Sequence, residues 1–560
     1  MIDKIKLKFS SKGLQEQIEF KTGPITIFLG PNNSGKSLAL QEIEGWCRNG
    51  TIGNSRIISD ISFNFPTDEE LDNEIEKLKI NPQQGQFIPE GQILYGKISP
   101  LGHGFNQFQV QKDILKQWKN HNPTISAFFQ HYLTLFTVRL DGRSRFNLTD
   151  PQPSGDLTAP SQNHLIELMK NDSKRYEIRR IIKDAFNKCF VIDPTGMQQL
   201  KIRFSDRDPT DNYEEQSLDE RARVFHKQAS EIANLSDGVK AFTGCISSVL
   251  ASDSKIILID EPEAFLHPTL AFKLGKELSN LARVKNGNLF VSTHSSHFVM
   301  GCIQSGVPIN IVRLTFSNNF PTARLLSSET LSKLMKSPML RSTGILESLF
   351  FESVIISEGD SDRAFYNEIN ERMIQFSNYD GISNTLFVNA QNKQTISDII
   401  KPLRELGIPA VGIVDIDIIK DNASVWTKLL NSANVPESLH QSLHNLRTTI
   451  KMKFEMSGKD MKRDGGISIL NNSDQEAFTS FLNQLAEYGI FIVPCGEVES
   501  WLKHLEASGR KSEWLINIFE KMGDDPTSTN YIIPDHTDVW LFIKNIKTWI
   551  VDINKKGIHK

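Results

Sequence analysis

The sequence predicts an α/β protein with two parallel sheets in succession, and three observations carry this. An apolar run, ITIFLG at 25–30, leads through a glycine-rich loop into the helix-periodic stretch KSLALQEIEGW. SKIILID at 254–260 and NLFVSTH at 288–294 are continuous apolar runs, the kind buried on both faces of a parallel sheet. From about 352 onward apolar runs alternate with helical ones: SVIISEG, DRAFYNEINERM, TLFVNA, TISDIIKPLRELG, PAVGIVDID and GIFIVPCG.

At the N-terminus, KIKLKF and EQIEF read as strands, and MIDKIKLKFSSKG lacks the apolar core of a signal peptide. Residues 50–215 are loop-rich, with helices expected near 108–137 and 161–190, and are taken as a largely helical insertion within the first domain. The expected domains are 1–345, 346–505, and a helical, Trp-containing C-terminal extension at 506–560. The chain has 560 residues, 39% hydrophobic and 23% charged, with a net charge of -4, so any nucleic-acid contact must come from a local basic patch. Cys47, Cys189, Cys245, Cys302 and Cys495 show no CxxC spacing, which suits reduced thiols and a cytoplasmic location. No apolar run reaches the roughly 18 residues that span a bilayer, so no membrane partner is expected.

Gly30-Pro31-Asn32-Asn33-Ser34-Gly35-Lys36-Ser37 fits GxxxxGK[ST] at each fixed position. Glycine lets several backbone N–H groups turn onto phosphate oxygens, and the following helix adds its positive end. Lys36 is placed to reach the β and γ phosphates, and the Ser37 hydroxyl to bind Mg2+. In KIILIDEPEAFLHP, Asp260 ends a strand where it can hold Mg2+ through water, and Glu261 can polarise an attacking water. Two acids at a buried strand end are costly without a cation. Ser236, Asp237 and Gly238 open a helix just before that strand, and His294 ends the next one.

The order of loop, Ser-Asp-Gly, Asp-Glu and His resembles the ABC-type ATPase heads of the SMC-like group. The resemblance implies ATP sandwiched in a homodimer of heads. Lys36, Ser37, Asp260, Glu261 and His294 come from one subunit, and Ser236 and Gly238 from the other. Asp237 and Val239 depart from the LSGGQ signature, and Gln92 is the candidate for the Q-loop glutamine.

Downstream, acids cluster at the C-terminal ends of apolar strands: Glu358, Asp360 and Asp362; then Asp415 and Asp417; then Glu497 and Glu499. Open α/β sheets place their sites there. Alternate strand residues face one way, so Asp415 and Asp417 can share a metal. So many acids repel unless divalent cations neutralise them, and oxygen ligands favour Mg2+ or Mn2+.

The pattern E-G-x-x-D followed by D-x-D resembles a Toprim domain. An ABC head followed by Toprim resembles the overcoming-lysogenisation-defect (OLD) family of ATP-dependent nucleases. That resemblance implies a DNA substrate and phosphodiester hydrolysis by two metals held by Glu358, Asp362, Asp415, Asp417, Glu497 and Glu499. Lys503 is the candidate for offsetting phosphate charge. It further implies bacterial defence against phage, alone or beside a helicase-like or retron partner, with assembly beyond the dimer through 50–215 left open. A topoisomerase would need a further domain bearing a nucleophilic tyrosine, and a primase a zinc module. The alternative is an ATPase-driven sensor whose Toprim domain binds nucleic acid or a partner without cutting.

Overall fold

The computed structural model describes residues 1–82, 87–98, 105–121, 124–158, 161–285, 287–317, 319–326, 344–376 and 380–558. The chain forms two compact units, Met1–Glu329 and Thr330–Lys560. The boundary expected at 345 has residues 327–343 before it, which lie outside the described residues.

The first unit is organised by a six-stranded sheet in the order Phe320–Leu326, Ile309–Ser317, Ile25–Leu29, Asn288–Ser292, Ile256–Asp260, Thr137–Leu140. Only Phe320–Leu326 runs antiparallel to its neighbour. Ile25–Leu29 and Asn288–Ser292 are buried at every position. Their sequences are therefore mostly apolar, with Thr26, Asn288 and Ser292 the polar exceptions, and do not alternate. The register sets Asp260 opposite Ser292 and Ser292 opposite Phe28, so the loops after three strands open along one edge. Helix Lys36–Asn49 covers the sheet with Ala39, Leu40, Ile43, Trp46 and Cys47, a single face of the helical period. It ends at Gly50, whose N–H caps Trp46 O at 2.8 Å.

Residues 50–215 are helical only in part, and they are not separate from the sheets. Ile58–Phe63 pairs with Ile2–Leu7 in a three-stranded antiparallel sheet, and Thr137–Leu140 forms the edge of the central one. The helical stretch expected near 108–137 divides into a hairpin strand, Phe105–Gln111, and two helices, Ile114–Asn120 and Ile125–His131. The second expected stretch gives His164–Lys170 and Asp172–Phe186. The signals were weak because these strands are short and their pairing is non-local.

The second unit holds a four-stranded, all-parallel sheet in the order Thr385–Asn389, Ser353–Ser357, Ala410–Val414, Ile490–Ile492. Helices Asp360–Phe376 and Lys393–Glu405 connect the first strands. The C-terminal helices Ser512–Met522 and Asp538–Val551 are integral to this unit: Trp514, Trp540 and Ile543 share a core with Phe365, Tyr366, Ile413 and Phe491. Two buried arginines lock the tail in place. Arg372 donates to Met522 O at 3.0 Å and Gly523 O at 2.6 Å. Arg404 donates from all three nitrogens to the carbonyls of Ala410, Ala433, Tyr488 and Gly557, at 2.7–3.1 Å. Among the described residues no helix is long and apolar enough to cross a membrane.

Replacing Arg404 would orphan several of those carbonyls, each costing about 1–3 kcal/mol. Arg404→Leu is therefore expected to destabilise the second unit by about 3 kcal/mol. Calorimetry of the full chain, with Trp fluorescence to assign the transition, reads this out, and a wild-type midpoint would contradict it.

Candidate functional site

The glycine-rich loop follows the third strand of the central sheet. Gly30 has φ 142°, and a Cβ there would lie 1.9 Å from Leu314 O, so only glycine fits. Asn33 (φ 60°) and Gly35 (φ 93°) are also left-handed, and together these turns direct the loop into helix Lys36–Asn49. Lys36 Nζ donates to Gly30 O at 3.0 Å and Pro31 O at 2.7 Å. Burial pushes its pKa down to about 8 against the pull of Glu261, Asp260 and Glu263, so the ammonium stays mostly charged at pH 7. Asn32 is exposed and Ser34 is buried within the loop.

Ser37 Oγ donates to Asp260 Oδ1 at 2.8 Å, and Ser292 Oγ donates to the same oxygen. The structure thus brings the loop serine and the strand-end aspartate together. Glu261 is left-handed (φ 47°), and its carboxylate lies 3.7 Å from His294 Nε2. Burial, and then Lys36, push the His294 pKa down to about 4, so its imidazole is neutral at pH 7. The backbone N–H of His294 donates to Glu263 Oε1 at 2.7 Å, tying the two strand-end turns together. Ser236 occupies the N-cap position of helix Asp237–Ala251 without a side-chain capping hydrogen bond, and a Cβ on Gly238 would meet Phe265 O at 2.8 Å.

Two arginines that sequence reasoning missed face this edge. Arg139 Nη2 lies 3.9 Å from Asp260 Oδ2, and Arg145 Nη1 donates to Glu261 O at 2.8 Å. Both come from the four-residue edge strand and the short helix after it, Gly142–Asn147. Gln92 is instead on a hairpin strand, where its side-chain oxygen accepts from Gln109.

In the second unit the parallel register aligns the strand ends again. Glu358 follows Ser357, Asp415 follows Val414, and the Asp415 N–H donates to Glu358 Oε1 at 2.9 Å. One carboxylate oxygen each from Glu358, Asp415 and Asp417 lies within 4.8 Å of the others. Asp362, in the first turn of its helix, accepts the Gly359 N–H at 2.9 Å, and Asp360 pairs with Arg363. Glu497 and Glu499 lie in the turn after Ile490–Ile492, where the Lys511 N–H donates to Glu499 at 3.0 Å.

The cation that reaches these acids is Lys462, another residue the sequence did not single out. Its Nζ lies 2.6 Å from Asp415 Oδ2, 3.8 Å from Asp417 Oδ2 and 3.7 Å from Glu497 Oε2. Its loop lies flat on the 494–496 turn: a Cβ on Gly496 (φ 120°) would come 2.1 Å from Lys462 O. Lys393 pairs with Asp417 at 3.1 Å and Asp421 at 3.0 Å. Among the described residues Lys503 makes no ion pair with the acids. It lies beside the Lys462 loop, its Nζ 3.7 Å from a Cβ placed on Gly465.

Burial is the largest cause of the pKa shifts in this cluster. It pushes Glu358 up to about 7, with Asp417 and Asp362 adding to it against the Asp415 N–H and Lys462. Asp415 is raised by burial and then Glu358, Asp362 by burial opposed by the Gly359 N–H, and Glu497 by burial and then Glu499. Burial would lower Lys462, but Asp415 raises it overall.

The comparisons with known proteins divide at the same place. Residues 25–300 match the family model described as "AAA domain, putative AbiEii toxin, Type IV TA system". Residues 349–417 match "Overcoming lysogenization defect protein-like, TOPRIM domain". The chain joins an ATPase domain to an OLD-like Toprim domain. Solved structures similar to this chain include an SMC head bound to the C-winged helix domain of ScpA. That pair is 12% identical with a TM-score of 0.34, covering 59% of this chain and 99% of that one. The SMC head domain from Thermotoga maritima is 15% identical with a TM-score of 0.30, covering 58% and 99%. An Smc head with an extended coiled coil, bound to a ScpA domain derived from Pyrococcus furiosus, is 10% identical with a TM-score of 0.31, covering 60% and 98%. Likenesses this distant say nothing about activity. Comparison with curated proteins gave no match.

The Toprim donor set fits a hard divalent cation. All its ligand atoms are carboxylate oxygens, and among the described residues the buried Asp417 Oδ1 has no hydrogen-bond partner. A cation there would lower the Glu358 pKa from about 7 back toward its ordinary 4.5. Metal binding near pH 6 should therefore release protons, and affinity should rise with pH up to about 7. The raised pKa also means that, without metal, this group's contribution to stability falls as pH rises from 4.5 to about 7. Calorimetric Mn2+ titration in buffers of different ionisation enthalpy measures the release. Heats independent of buffer at pH 6 would contradict it.

Proposed function

We propose that this chain is an ATP-gated, OLD-type nuclease that cuts DNA phosphodiesters with the help of divalent metal. The observation that carries this reading is the convergence of Glu358, Asp415 and Asp417 within 4.8 Å at one edge of the Toprim sheet. A purely structural role would not favour three buried or half-buried acids so close together. When bound, Mg2+ or Mn2+ supplies Lewis-acid activation of the phosphodiester and of the attacking water.

The chain's own residues divide the remaining work. Glu358, Asp415 and Asp417 would hold metal, with Asp362, Glu497 and Glu499 beside them. Lys393 fixes Asp417 and Asp421 by ion pairs of 3.1 and 3.0 Å. Lys462 keeps Asp415 in place and brings a positive charge to the edge where a DNA phosphate would lie. Lys503, beside the same loop, adds a second positive charge.

In the ATPase domain, Lys36 and the Gly30–Gly35 loop would hold the phosphates. Ser37 and Asp260 would hold Mg2+, Glu261 would orient water, and neutral His294 would contact the γ-phosphate. Ser236 and Gly238 would serve a second copy's nucleotide, making the working unit a homodimer of heads. Bacterial defence against phage is the setting this reading proposes.

Supercoiled plasmid with Mg2+ or Mn2+ and ATP tests the reading. Wild type should cut and EDTA should stop it. Asp415→Ala should lose cleavage by at least about 100-fold while ATP turnover survives, whereas Lys36→Ala should lose ATP turnover. DNA binding without cutting in every metal would instead favour the sensor. Equal cutting by wild type and Asp415→Ala would place the chemistry elsewhere.

A further inference from the structure

We infer that Arg145 is a positioning residue for ATP hydrolysis, fixing the backbone of Glu261 and tying it to the helix that Ser236 opens. The inference rests on the proposal that Glu261 orients the attacking water. Glu261 is held in a left-handed conformation (φ 47°) that a glutamate adopts only when its surroundings impose it. Its peptide neighbours are fixed on both sides. The Glu261 N–H donates to Ser292 O at 2.9 Å, and Glu261 O accepts from Arg145 Nη1 at 2.8 Å.

Arg145 is unlike a buried arginine that serves packing alone. Arg404, equally buried, donates from each of its three nitrogens to backbone carbonyls. The Arg145 side chain is fully buried, yet among the described residues its Nε and Nη2 have no hydrogen-bond partner, and its hydrogen bond goes to Glu261. Buried donors left unsatisfied are rare and concentrate where function demands them.

Three segments meet at this arginine. Its helix, Gly142–Asn147, is capped by Asp141, which accepts the Ser144 N–H at 2.8 Å. That helix lies against helix Asp237–Ala251, where a Cβ on Gly244 would fall 2.0 Å from Arg145 O. The next residue, Phe146, meets Phe265 edge-on at 5.1 Å, and Phe265 O lies against Gly238. At backbone contact this close, helix Asp237–Ala251 cannot shift without moving Arg145 and, through it, Glu261. Arg145 therefore links the Ser236–Gly238 turn to the acid proposed to orient water.

A double-mutant cycle on the full chain tests this in single-turnover ATP hydrolysis. Arg145→Met keeps the volume and removes the donors, and Arg145→Lys keeps the charge without the guanidinium's fixed reach. Arg145→Met should lower the hydrolysis rate about 10- to 100-fold with little change in ATP affinity. Arg145→Lys should lower it less. In the Glu261→Gln background both losses should vanish, because Arg145 acts through Glu261. If Arg145→Met fails to fold, Arg145→Lys carries the same cycle. Wild-type hydrolysis by the Arg145 variants, or an equal loss in both backgrounds, would overturn the inference. Wild-type hydrolysis by Glu261→Gln alone would remove the proposal beneath it, and the inference with it.

Discussion

Carboxylates repel, and the Toprim unit holds three of them within 4.8 Å of one another, two at the ends of neighbouring parallel strands and the third in the turn that follows. Much of the architecture around them is set by that constraint. Lys462 and Lys393 bring two ammonium groups against the acids, and the Asp415 N–H binds Glu358 directly. Burial still holds Glu358 and Asp415 well above the usual carboxylate range, so internal cations only partly offset the repulsion. A site in that condition favours an external divalent ion.

The ATPase unit meets a related problem differently. Asp260 is secured by two serine hydroxyls and approached by Arg139, while Glu261 is held through its backbone. In both units the same device gathers the groups: parallel strands in register bring residues distant in sequence to one edge. Ser37 and Asp260 are joined across more than two hundred positions, and Glu358 and Asp415 across 57.

What was legible in the sequence follows from this geometry. Glycine loops and buried parallel strands leave contiguous signals, so Gly30–Ser37, Asp260, Glu358 and Asp415 could be read directly, along with the two-sheet class. Lys462 left little trace. It is a lysine in an irregular loop, brought to the acids by the close approach at Gly496. Lys503 follows Glu499 closely in sequence, and the fold sets it beside the Lys462 loop without an ion pair to the acids among the described residues. Arg139 and Arg145 were hidden in a region that read as an insertion, because a four-residue strand gives too little pattern to separate it from loop. The tail's integration into the second core was likewise invisible, since it depends on arginine contacts to carbonyls far along the chain.

The central claim is that the carboxylate cluster is a cation site held ready by the Toprim sheet. Anomalous diffraction at the manganese edge, from crystals of the full chain grown with Mn2+, tests it most directly. The account predicts a peak in contact with Glu358, Asp415 and Asp417, with the Lys462 ammonium moved off Asp415. A fully ordered cluster with Lys462 still on Asp415 and no manganese among the three acids would contradict it.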